Sequence, residues 1–353
     1  MRRLLAADAT IDAVAAALDG SGPALLPTTD LRVLRALRAD EPVDDAVAAL
    51  VPTAGSTGKP KGVLLSAAAL TASATATAGR LGGTGQWLLA VPTTHVAGLQ
   101  VLVRSVLAGT APVVLDGPTT VESFEATAAR MTGSRRYVSL VPTQLHRLLD
   151  SPALQTFAAV LVGGAATPPR LLDAARERGV RVVRTYGMTE TAGGCVYDGV
   201  PLDGVEVDVG HRIRLRGPVL GEAYRHGPLR DADGWFTTGD VGRWEGGRLV
   251  VLGRADDVVV TGGEKVAPNA VEDRLREHPS VVDVAVVGIA DDEWGERVLA
   301  VVVLRGPLSL HEARDHVSGP LPRAAAPREL RVVDALPLLP SGKVDRVALR
   351  RQT

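Results

Sequence analysis

Cysteine, aromatic residues and net charge are all scarce in this sequence. Its 353 residues contain one cysteine, Cys195, and only 3% of them are aromatic. A single cysteine excludes an intrachain disulfide and a cysteine-ligated structural zinc site, and it fits a reducing cytoplasm. Lys and Arg number 39 against 40 Asp and Glu, so the chain lacks the positive excess of proteins that bind nucleic acid or anionic membranes. A local basic patch stays compatible with this balance.

The sequence also lacks an apolar run long enough to cross a bilayer. Two uncharged stretches, 62–79 and 81–103, are interrupted by hydroxyl residues or by proline, histidine and glycine, which indicates buried elements of a soluble fold. The start of the chain reaches Asp8 and Asp12 too early for a secretory leader and predicts a short amphipathic helix. No internal repeat is visible, which argues against a solenoid.

Hydrophobic residues make up 46% of the chain, so we expect a globular protein with a core of Ala, Val and Leu. Between about residues 60 and 200, short apolar runs alternate with helical patterns, which favours a mainly parallel sheet covered on both faces. Ligands of such sheets bind beyond the carboxyl ends of the strands. Alternating apolar and polar residues from about 203 to 252 predict a small antiparallel region. After Gly253 the pattern predicts a compact α+β domain of about 100 residues.

The segment PTAGSTGKPKG, residues 52–62, concentrates glycines, hydroxyl residues and two lysines in one loop. Backbone N–H groups, hydroxyls and Lys side chains are the donors that a polyphosphate requires. The spacing is not that of a Walker A loop, because Thr53 stands at the first glycine and Pro60 follows Lys59. A flexible surface turn is the alternative interpretation.

Two further motifs contain residues suited to a nucleotide. In TYGMTET, residues 185–191, Tyr186 is suited to stack on a base, Thr189 to contact phosphate and Glu190 to hold Mg²⁺. The alternative is a helix N-terminus with Thr189 as its cap and Glu190 in the first turn. In TTGDVG, residues 237–242, Asp240 is suited to accept hydrogen bonds from a ribose diol, or it makes an ordinary Asx-turn.

The last two motifs belong to the third zone and its boundary. GRADDVVVTGGEKVAPNAVE, residues 253–272, lies where the second zone ends. In PLLPSGKVDR, residues 337–346, the glycine before Lys343 makes a tight turn that can project the ammonium into the site of another domain. An exposed hairpin lysine is the alternative. Together, five weak motifs in a fixed order form a strong signal.

The order of a phosphate loop, Y-G-x-T-E, T-G-D, G-R-x-x-D and P-x-x-x-x-G-K resembles the adenylate-forming superfamily of acyl- and aryl-CoA ligases, peptide-synthetase adenylation domains and luciferases. The likeness extends from Pro52 to Arg346. It implies an α/β fold: a large N-terminal domain of mainly parallel sheets layered with helices, with a small antiparallel region, and a small mobile α+β C-terminal domain. The expected divisions are 1–253, shortened at its N-terminus, a hinge at 254–257, and 258–353.

The resemblance also implies a role for each matching residue. ATP would be held at three places. The phosphate loop would comprise Thr53, Gly55, Ser56, Thr57, Gly58, Lys59 and Lys61, and the adenine pocket would comprise Gly163, Gly164, Ala165, Tyr186 and Gly187. The ribose site would comprise Asp240, with Arg254 beside it. Glu190 would coordinate Mg²⁺ and Thr189 would contact phosphate. Lys343 would bridge the substrate carboxylate and the α-phosphate.

Three further positions match functional segments of the superfamily. His95, in VPTTHVAGL, resembles the histidine that lines the acyl or pantetheine channel, although a buried core histidine is the alternative. Asp256 matches the hinge position. The Gly262-Gly263 loop would approach coenzyme A after the C-terminal domain rotates and removes Lys343.

The reaction implied by this resemblance has two steps. A carboxylate attacks the α-phosphate of ATP and releases pyrophosphate, and the thiol of coenzyme A then attacks the acyl-adenylate. The short N-terminus, the histidine segment and the Ala-, Arg- and Gly-rich composition make the chain look most like the actinobacterial o-succinylbenzoate–CoA ligases of menaquinone biosynthesis. We therefore expect a small carboxylic acid, ATP and coenzyme A as partners. We expect neither nucleic-acid binding nor membrane insertion, and we expect a homodimer that covers surface exposed by the short N-terminus.

Other functions stay open at this point: another aryl- or acyl-CoA ligase, a stand-alone amino-acid adenylation enzyme, or a degenerate nucleotide-binding protein without activity. No acidic residue that would hold an amino-acid ammonium can be assigned, and a pure binder would not need both Lys343 and Glu190. Two positions depart from the superfamily pattern. Ala54 stands where serine is common in the phosphate loop, and Ala270 replaces an acidic residue.

Overall fold

We describe a computed structural model in which residues 1–54, 60–338 and 344–351 are defined. The strands up to residue 201 are β1 (Leu4–Ala6), β2 (Ala24–Leu26), β3 (Val47–Ala54), β4 (Pro60–Ser66), β5 (Gln86–Leu89), β6 (Val113–Val114), β7 (Arg136–Leu140), β8 (Ala159–Val162), β9 (Val182–Met188), β10 (Gly193–Tyr197) and β11 (Val200–Pro201). The later strands are β12 (Glu206–Val209), β13 (Ile213–Arg216), β14 (Ala223–Tyr224), β15 (Phe236–Thr237), β16 (Asp240–Glu245), β17 (Arg248–Arg254), β18 (Val259–Thr261), β19 (Glu264–Val266), β20 (Val281–Asp291), β21 (Gly295–Leu304) and β22 (Glu329–Val332).

The helices in the described residues are α1 (Ile11–Asp19), α2 (Leu31–Ala36), α3 (Ala67–Leu81), α4 (Val96–Ala108), α5 (Val121–Ala129), α6 (Pro142–Leu148), α7 (Pro169–Glu177), α8 (Pro268–Arg276), α9 (Leu310–Ser318) and α10 (Arg346–Arg351). Within the described ranges, no helix has both the length and the apolar character needed to cross a membrane.

The first sheet has the strand order β1-β2-β3-β4-β14. Its first three strands are parallel, and β4 returns antiparallel to β3. The prediction of one helix at the start of the chain is wrong for the first residues, because Leu4–Ala6 pairs with β2 and α1 begins only at Ile11, with the Thr10 hydroxyl as its N-cap. A three-residue strand is too short for its alternation to be visible in the sequence.

The second sheet confirms the expected mainly parallel architecture. Its order is β11-β10-β9-β8-β7-β5-β6, with β5 to β9 parallel and β10 and β11 antiparallel. Strand β9 extends to Met188, so Tyr186 lies within a strand and not after one. The sheet therefore carries the proposed adenine residue directly to its carboxyl edge, where α/β proteins bind ligands.

Side chains of successive residues in the second sheet alternate between two apolar layers. Tyr137 and Ala159 pack with α3, α4 and the first sheet, whereas Val138 and Val160 pack with α5, α6 and α7 on the opposite face. This alternation follows from the period of two in a β-strand. The result is two sheets with helices between them and a helical layer outside the second sheet, which confirms the predicted fold class.

The remaining strands form smaller antiparallel sheets and a last, mixed sheet. The orders β12-β13-β15 and β16-β17 confirm the antiparallel region expected after residue 203. The last sheet, β19-β18-β21-β20 with β22 beside β21, packs against α8 and α9 on one face and α10 on the other. The two apolar clusters of this region comprise residues between Val259 and Leu349. The boundaries of the two domains and of the hinge stay predictions.

Candidate active site

The proposed phosphate loop joins the antiparallel strands β3 and β4. The pairing runs from Val47 opposite Ser66 to Ala54 opposite Pro60, so the chain leaves the loop as a strand. A Walker A loop continues into a helix, and the structure therefore supports the rejection of that motif. Thr53 and Lys61 lie at the base of the hairpin, where the Thr53 hydroxyl donates to the Lys61 carbonyl at 3.4 Å. Gly55, Ser56, Thr57, Gly58 and Lys59 lie outside the described residues.

Tyr224 links the phosphate-loop hairpin to Glu190. Its strand, β14, pairs with Val63 and Leu64 of β4, and its hydroxyl donates to Glu190 Oε1 at 2.9 Å. The Lys61 ammonium lies 5.5 Å from the centroid of the Tyr224 ring, within cation–π range. Burial, followed by the adjacent Glu190 charge, raises the pKa of Tyr224, so the hydroxyl stays a donor. No motif in the sequence indicated this tyrosine.

Glu190 has the chemistry of a Mg²⁺ ligand. In the part of the chain that the structure describes, its carboxylate forms no ion pair, and one hydroxyl donor leaves acceptor capacity on both oxygens. Mg²⁺ in nucleotide sites is held by one or two carboxylates, by phosphates and by water. No cluster of three or more potential metal ligands occurs within the described ranges. The residues therefore fit a metal ion held mainly by a polyphosphate, with Glu190 as its protein ligand.

Thr189 and Glu190 belong to a short 3₁₀ turn, residues 189–191, directly after β9. The N-cap of this turn is Met188, whose backbone N–H donates to the Thr191 hydroxyl at 2.9 Å. The alternative that Thr189 caps an α-helix is therefore wrong. Ala192 adopts a positive φ of 49° and Gly193 one of 107°, so the chain reverses at once into β10. This tight reversal leaves Glu190 beside the carboxyl end of β9.

Three glycines near the predicted adenine pocket are required by close packing or by backbone conformation. A Cβ on Gly163 would lie 2.3 Å from Thr185 Oγ1, and one on Gly187 would lie 2.1 Å from the Gly193 carbonyl oxygen. Gly164 has a φ of +82°, which an L side chain rarely adopts. Ala165 follows in the same connection after β8. Close packing accounts for Gly163 and Gly187, and the positive φ accounts for Gly164. The contact of these glycines and of Ala165 with adenine stays a prediction.

Tyr186, Asp240 and Arg254 come together from three strands. The Tyr186 hydroxyl donates to Asp240 Oδ2 at 2.9 Å, and Arg254 Nη1 lies 3.5 Å from Asp240 Oδ1. The Asp240 side chain is 13% exposed. Burial, followed by the Asp240 charge, raises the pKa of Tyr186, so the tyrosine stays protonated. The predicted adenine and ribose residues therefore form one polar group, a contact that the motifs did not indicate.

The turn before Asp240 is closed by a threonine. The Asp240 backbone N–H donates to the Thr238 hydroxyl at 3.0 Å. The alternative of an Asx-turn made by the Asp240 carboxylate is therefore wrong, because that carboxylate faces Tyr186 and Arg254 instead. Its position is compatible with two hydroxyls of a ribose.

The residues predicted at the hinge are tied to both neighbouring regions. Asp256 Oδ1 lies 3.2 Å from Arg212 Nη2, next to β13. The adjacent Asp257 pairs with Arg350 of α10 at 3.0 Å. Gly262 and Gly263 connect β18 and β19 with φ angles of 58° and 81°, as a tight hairpin turn with two positive φ angles requires. The described contacts place neither glycine against the Glu190 or Asp240 groups.

The predicted Lys343 lies outside the described residues, but the chain on its carboxyl side is firmly held. Arg346 Nη2 lies 2.7 Å from Glu272 Oε1, and the Glu272 side chain is 5% exposed. The same carboxylate accepts from the Val286 backbone N–H at 2.8 Å. A buried ion pair therefore anchors the segment that follows Lys343.

His95 is the N-cap residue directly before α4 and is exposed to solvent. The alternative of a buried core histidine is therefore wrong. The described contacts do not join His95 to Glu190 or Asp240, so its place in an acyl or pantetheine channel stays a prediction.

Comparisons with known proteins agree with this architecture. A family model described as AMP-binding enzyme matches residues 5–219, and one described as AMP-binding enzyme C-terminal domain matches residues 270–343. The first match covers more than half of the chain. The chain therefore belongs to the AMP-binding enzyme family.

Individual relatives are more specific. A probable 2-succinylbenzoate–CoA ligase of Mycobacterium tuberculosis is 51% identical over 95% of this chain and 92% of its own length. The o-succinylbenzoate CoA synthetase of Bacillus subtilis, solved with the acyl-adenylate intermediate OSB-AMP, superposes with a TM-score of 0.79 at 29% identity, over 97% of this chain and 80% of that one. A structure of the same synthetase with ATP and magnesium ion has a TM-score of 0.78 at 28% identity, over 98% of this chain and 82% of that one.

Proposed function

We propose that the chain is an AMP-forming ligase that joins o-succinylbenzoate to coenzyme A at the expense of ATP, as a step of menaquinone biosynthesis. The observation that carries the proposal is the pair of tyrosine–carboxylate contacts at the end of β9. Tyr186 of β9 meets Asp240, and Tyr224 meets Glu190 in the turn directly after β9, so a candidate ribose acceptor and a candidate metal ligand are both tied to the carboxyl end of β9. The M. tuberculosis relative, with 51% identity over 95% of the chain, supports this substrate.

The first step joins the acid to the α-phosphate of ATP. Asp240 accepts hydrogen bonds from the ribose, and Tyr186 and the glycines at 163 and 164 border the adenine. The donors of the loop at 55–59, with Thr53 and Lys61, hold the phosphates, and Thr189 also contacts them. Mg²⁺, when bound, neutralises phosphate charge, and Glu190 is its protein ligand. Lys343 orients the substrate carboxylate toward the α-phosphate, so catalysis is positioning and charge neutralisation.

The second step transfers the acyl group to the thiol of coenzyme A and releases AMP. We propose that residues 258–353 rotate about 254–257, which withdraws Lys343 and brings the Gly262-Gly263 turn toward the acyl-adenylate. His95 borders the channel for the acyl or pantetheine group. The ion pair between Arg212 and Asp256 lies at this hinge and has to rearrange in such a rotation.

We also propose a cytoplasmic location and a homodimer. The single cysteine is compatible with the proposed cytoplasmic location. Burial raises the pKa of the Cys195 thiol to about 12, so it is a poorly reactive core thiol. Sedimentation of the purified chain at micromolar concentration tests the dimer. We expect the mass of a dimer, and the mass of a monomer would contradict the proposal.

ATP–pyrophosphate exchange across a panel of acids tests the activity. We expect exchange with o-succinylbenzoate and none with fatty acids or amino acids, followed by thioester formation when coenzyme A is added. Exchange only with another aryl or acyl acid would assign a different ligase, and exchange only with an amino acid would assign an adenylation enzyme. Absence of exchange with every acid would leave a nucleotide-binding protein and refute the ligase.

A further inference from the structure

A cavity lies at the opposite end of β9 from Glu190. Arg181 immediately precedes this strand and Glu190 follows it. The cavity has a volume of about 340 Å³. Three arginines line it, Arg80, Arg181 and Arg248, together with the apolar residues Leu81, Val183 and Val200. The chain as a whole has a formal charge of −1, so this is the kind of local basic patch that the overall balance conceals.

The three guanidinium groups bond only to backbone carbonyls in the described parts of the chain. Arg80 donates to the carbonyls of Val200 and Pro201 at 3.1 and 2.6 Å. Arg181 donates to Ala158 at 3.3 Å, and Arg248 to Asp198 at 2.6 Å. Each guanidinium has five N–H donors, so each keeps donors that no described protein atom accepts, and Arg181 and Arg248 are exposed to solvent.

Carboxylates do not neutralise this charge. Across residues 1–54, 60–338 and 344–351, neither Arg80, Arg181 nor Arg248 forms an ion pair within 4.0 Å. Asp198 also lines the cavity, but its carboxylate accepts from the backbone N–H and Nε of Arg184 at 3.0 and 3.4 Å. The lining therefore keeps a net positive charge.

A fourth arginine adds buried charge behind the cavity wall. Arg104 of α4 is 7% exposed, and its guanidinium lies 4.8 Å from the centroid of the Trp87 ring. Its Nη2 is 3.5 Å from the hydroxyl of Tyr197, which lines the cavity, and 3.4 Å from that of Thr77. Its Nε has no hydrogen-bond partner among the described atoms. A buried cation without a counter-charge is costly, and an anion in the cavity would offset that cost.

We propose that this cavity binds the phosphate group of a small phosphate monoester. Guanidinium groups bind phosphate oxygens through paired, charge-assisted hydrogen bonds, and three arginines line this cavity. The volume exceeds that of a phosphate, and Leu81, Val183 and Val200 offer apolar surface to the organic part. The site is separate from the ATP site proposed above, because it lies at the amino end of β9.

Calorimetric titration of the full chain with phenyl phosphate tests the proposal, at constant ionic strength maintained with sodium chloride. We expect saturable binding that Arg181→Ala and Arg248→Ala each weaken about tenfold, the loss that corresponds to one charge-assisted hydrogen bond. Arg147→Ala is the matched control, since Arg147 is exposed on α6 away from the cavity. Lys61→Ala controls for binding in the proposed phosphate loop. Both controls should bind as the wild type does.

Equal affinity in all variants, or loss only in Lys61→Ala, would overturn the proposal. Inorganic phosphate serves as the second probe. Weaker binding than phenyl phosphate supports recognition of a monoester, and equal binding refutes the apolar contribution. Arg104→Met keeps an unbranched side chain beside Trp87 and should weaken phenyl phosphate binding by removing the buried charge. Arg181→Ala and Arg248→Ala test the proposal even if Arg104→Met does not fold.

Discussion

The Tyr224 hydroxyl donates to Glu190 at 2.9 Å while the Lys61 ammonium lies 5.5 Å from the centre of the same ring. One side chain thus couples the strand that leaves the phosphate loop to the carboxylate proposed to hold Mg²⁺. Glu190 would otherwise be free to adopt several rotamers in a short 3₁₀ turn. We therefore expect Tyr224 to act as a positioning residue for both charged groups.

Tyr224→Phe should raise the Mg²⁺ concentration needed for half-maximal ATP–pyrophosphate exchange about tenfold. The variant keeps the ring under Lys61 but loses a hydrogen bond to a charged group, which contributes about 1.5–3 kcal/mol in typical cases. Exchange rates at varied free Mg²⁺ and direct titration with Mn²⁺ measure the effect. Tyr137→Phe is the control, because it removes the same kind of hydroxyl, one that donates to the Gly83 carbonyl at 2.9 Å and not to Glu190. The same Mg²⁺ dependence in both variants would contradict the positioning role.

Asp240→Asn should raise the KM for ATP about tenfold and leave the KM for the acid unchanged. The amide keeps an acceptor for Tyr186 but removes the charge that strengthens the bonds to the ribose and balances Arg254. Initial rates with each substrate varied in turn give the two constants. Asp208→Asn is the matched control, since Asp208 is exposed on β12 and lies 3.6 Å from Arg214. An unchanged KM for ATP in Asp240→Asn would remove Asp240 from the ribose site.

Lys343→Ala should abolish adenylation and still convert a preformed acyl-adenylate to the thioester. The ammonium is proposed to act only while the carboxylate attacks the α-phosphate, and to leave the site before the thiol reacts. Pyrophosphate exchange measures the first half-reaction, and thioester formation from synthetic acyl-adenylate measures the second. Equal loss of both would argue against domain rotation.

Gly263→Val should have the opposite effect, with thioester formation slowed and pyrophosphate exchange retained. Gly263 has a φ of +81° and no atom within 4 Å of a built Cβ, so the substitution strains the turn without a steric clash. Valine at positive φ is strongly disfavoured. Gly179→Val is the matched control, with a φ of +74° and equally open space. If both variants slow the two half-reactions alike, the turn has no separate role.

Glu272→Gln should destabilise the C-terminal region by about 3–5 kcal/mol, the usual range for breaking one side of a buried ion pair. The amide still accepts from the Val286 N–H but leaves Arg346 without its closest counter-charge. Chemical unfolding measures the free energy, and exchange activity should fall because Arg346 anchors the segment after Lys343. Glu277→Gln is the control. Its pair with Arg274 is more exposed and should cost under about 1 kcal/mol. A similar loss of unfolding free energy in both variants would show that the pair of Glu272 and Arg346 stabilises the region no more than an exposed ion pair does.

Local patterns in the sequence predicted many of the elements that carry the site. The apolar run at 159–162 is β8, and the helical pattern at 169–178 is α7, which the structure ends one residue earlier. The first sheet was missed because β1 and β2 have three residues each, too few to show a period. The apolar run at 180–183 does not reveal the full length of β9, because Thr185, Tyr186 and Gly187 do not continue it. Pairing with β10 extends the strand to Met188.

The sequence by itself indicated the chemistry of this protein: the order of five motifs pointed to the family and the nucleotide and supplied the candidate residues for the nucleotide site. Only the tertiary structure decided which side chains support those residues. Tyr186 and Asp240 are separated by 54 positions and Tyr224 and Glu190 by 34, so neither contact leaves a local pattern. No local pattern indicates the cavity either, because Arg80, Arg181 and Arg248, which line it, come from three distant segments of the chain. Local residue types set backbone preferences and donor chemistry, whereas strand pairing and burial determine which donors meet.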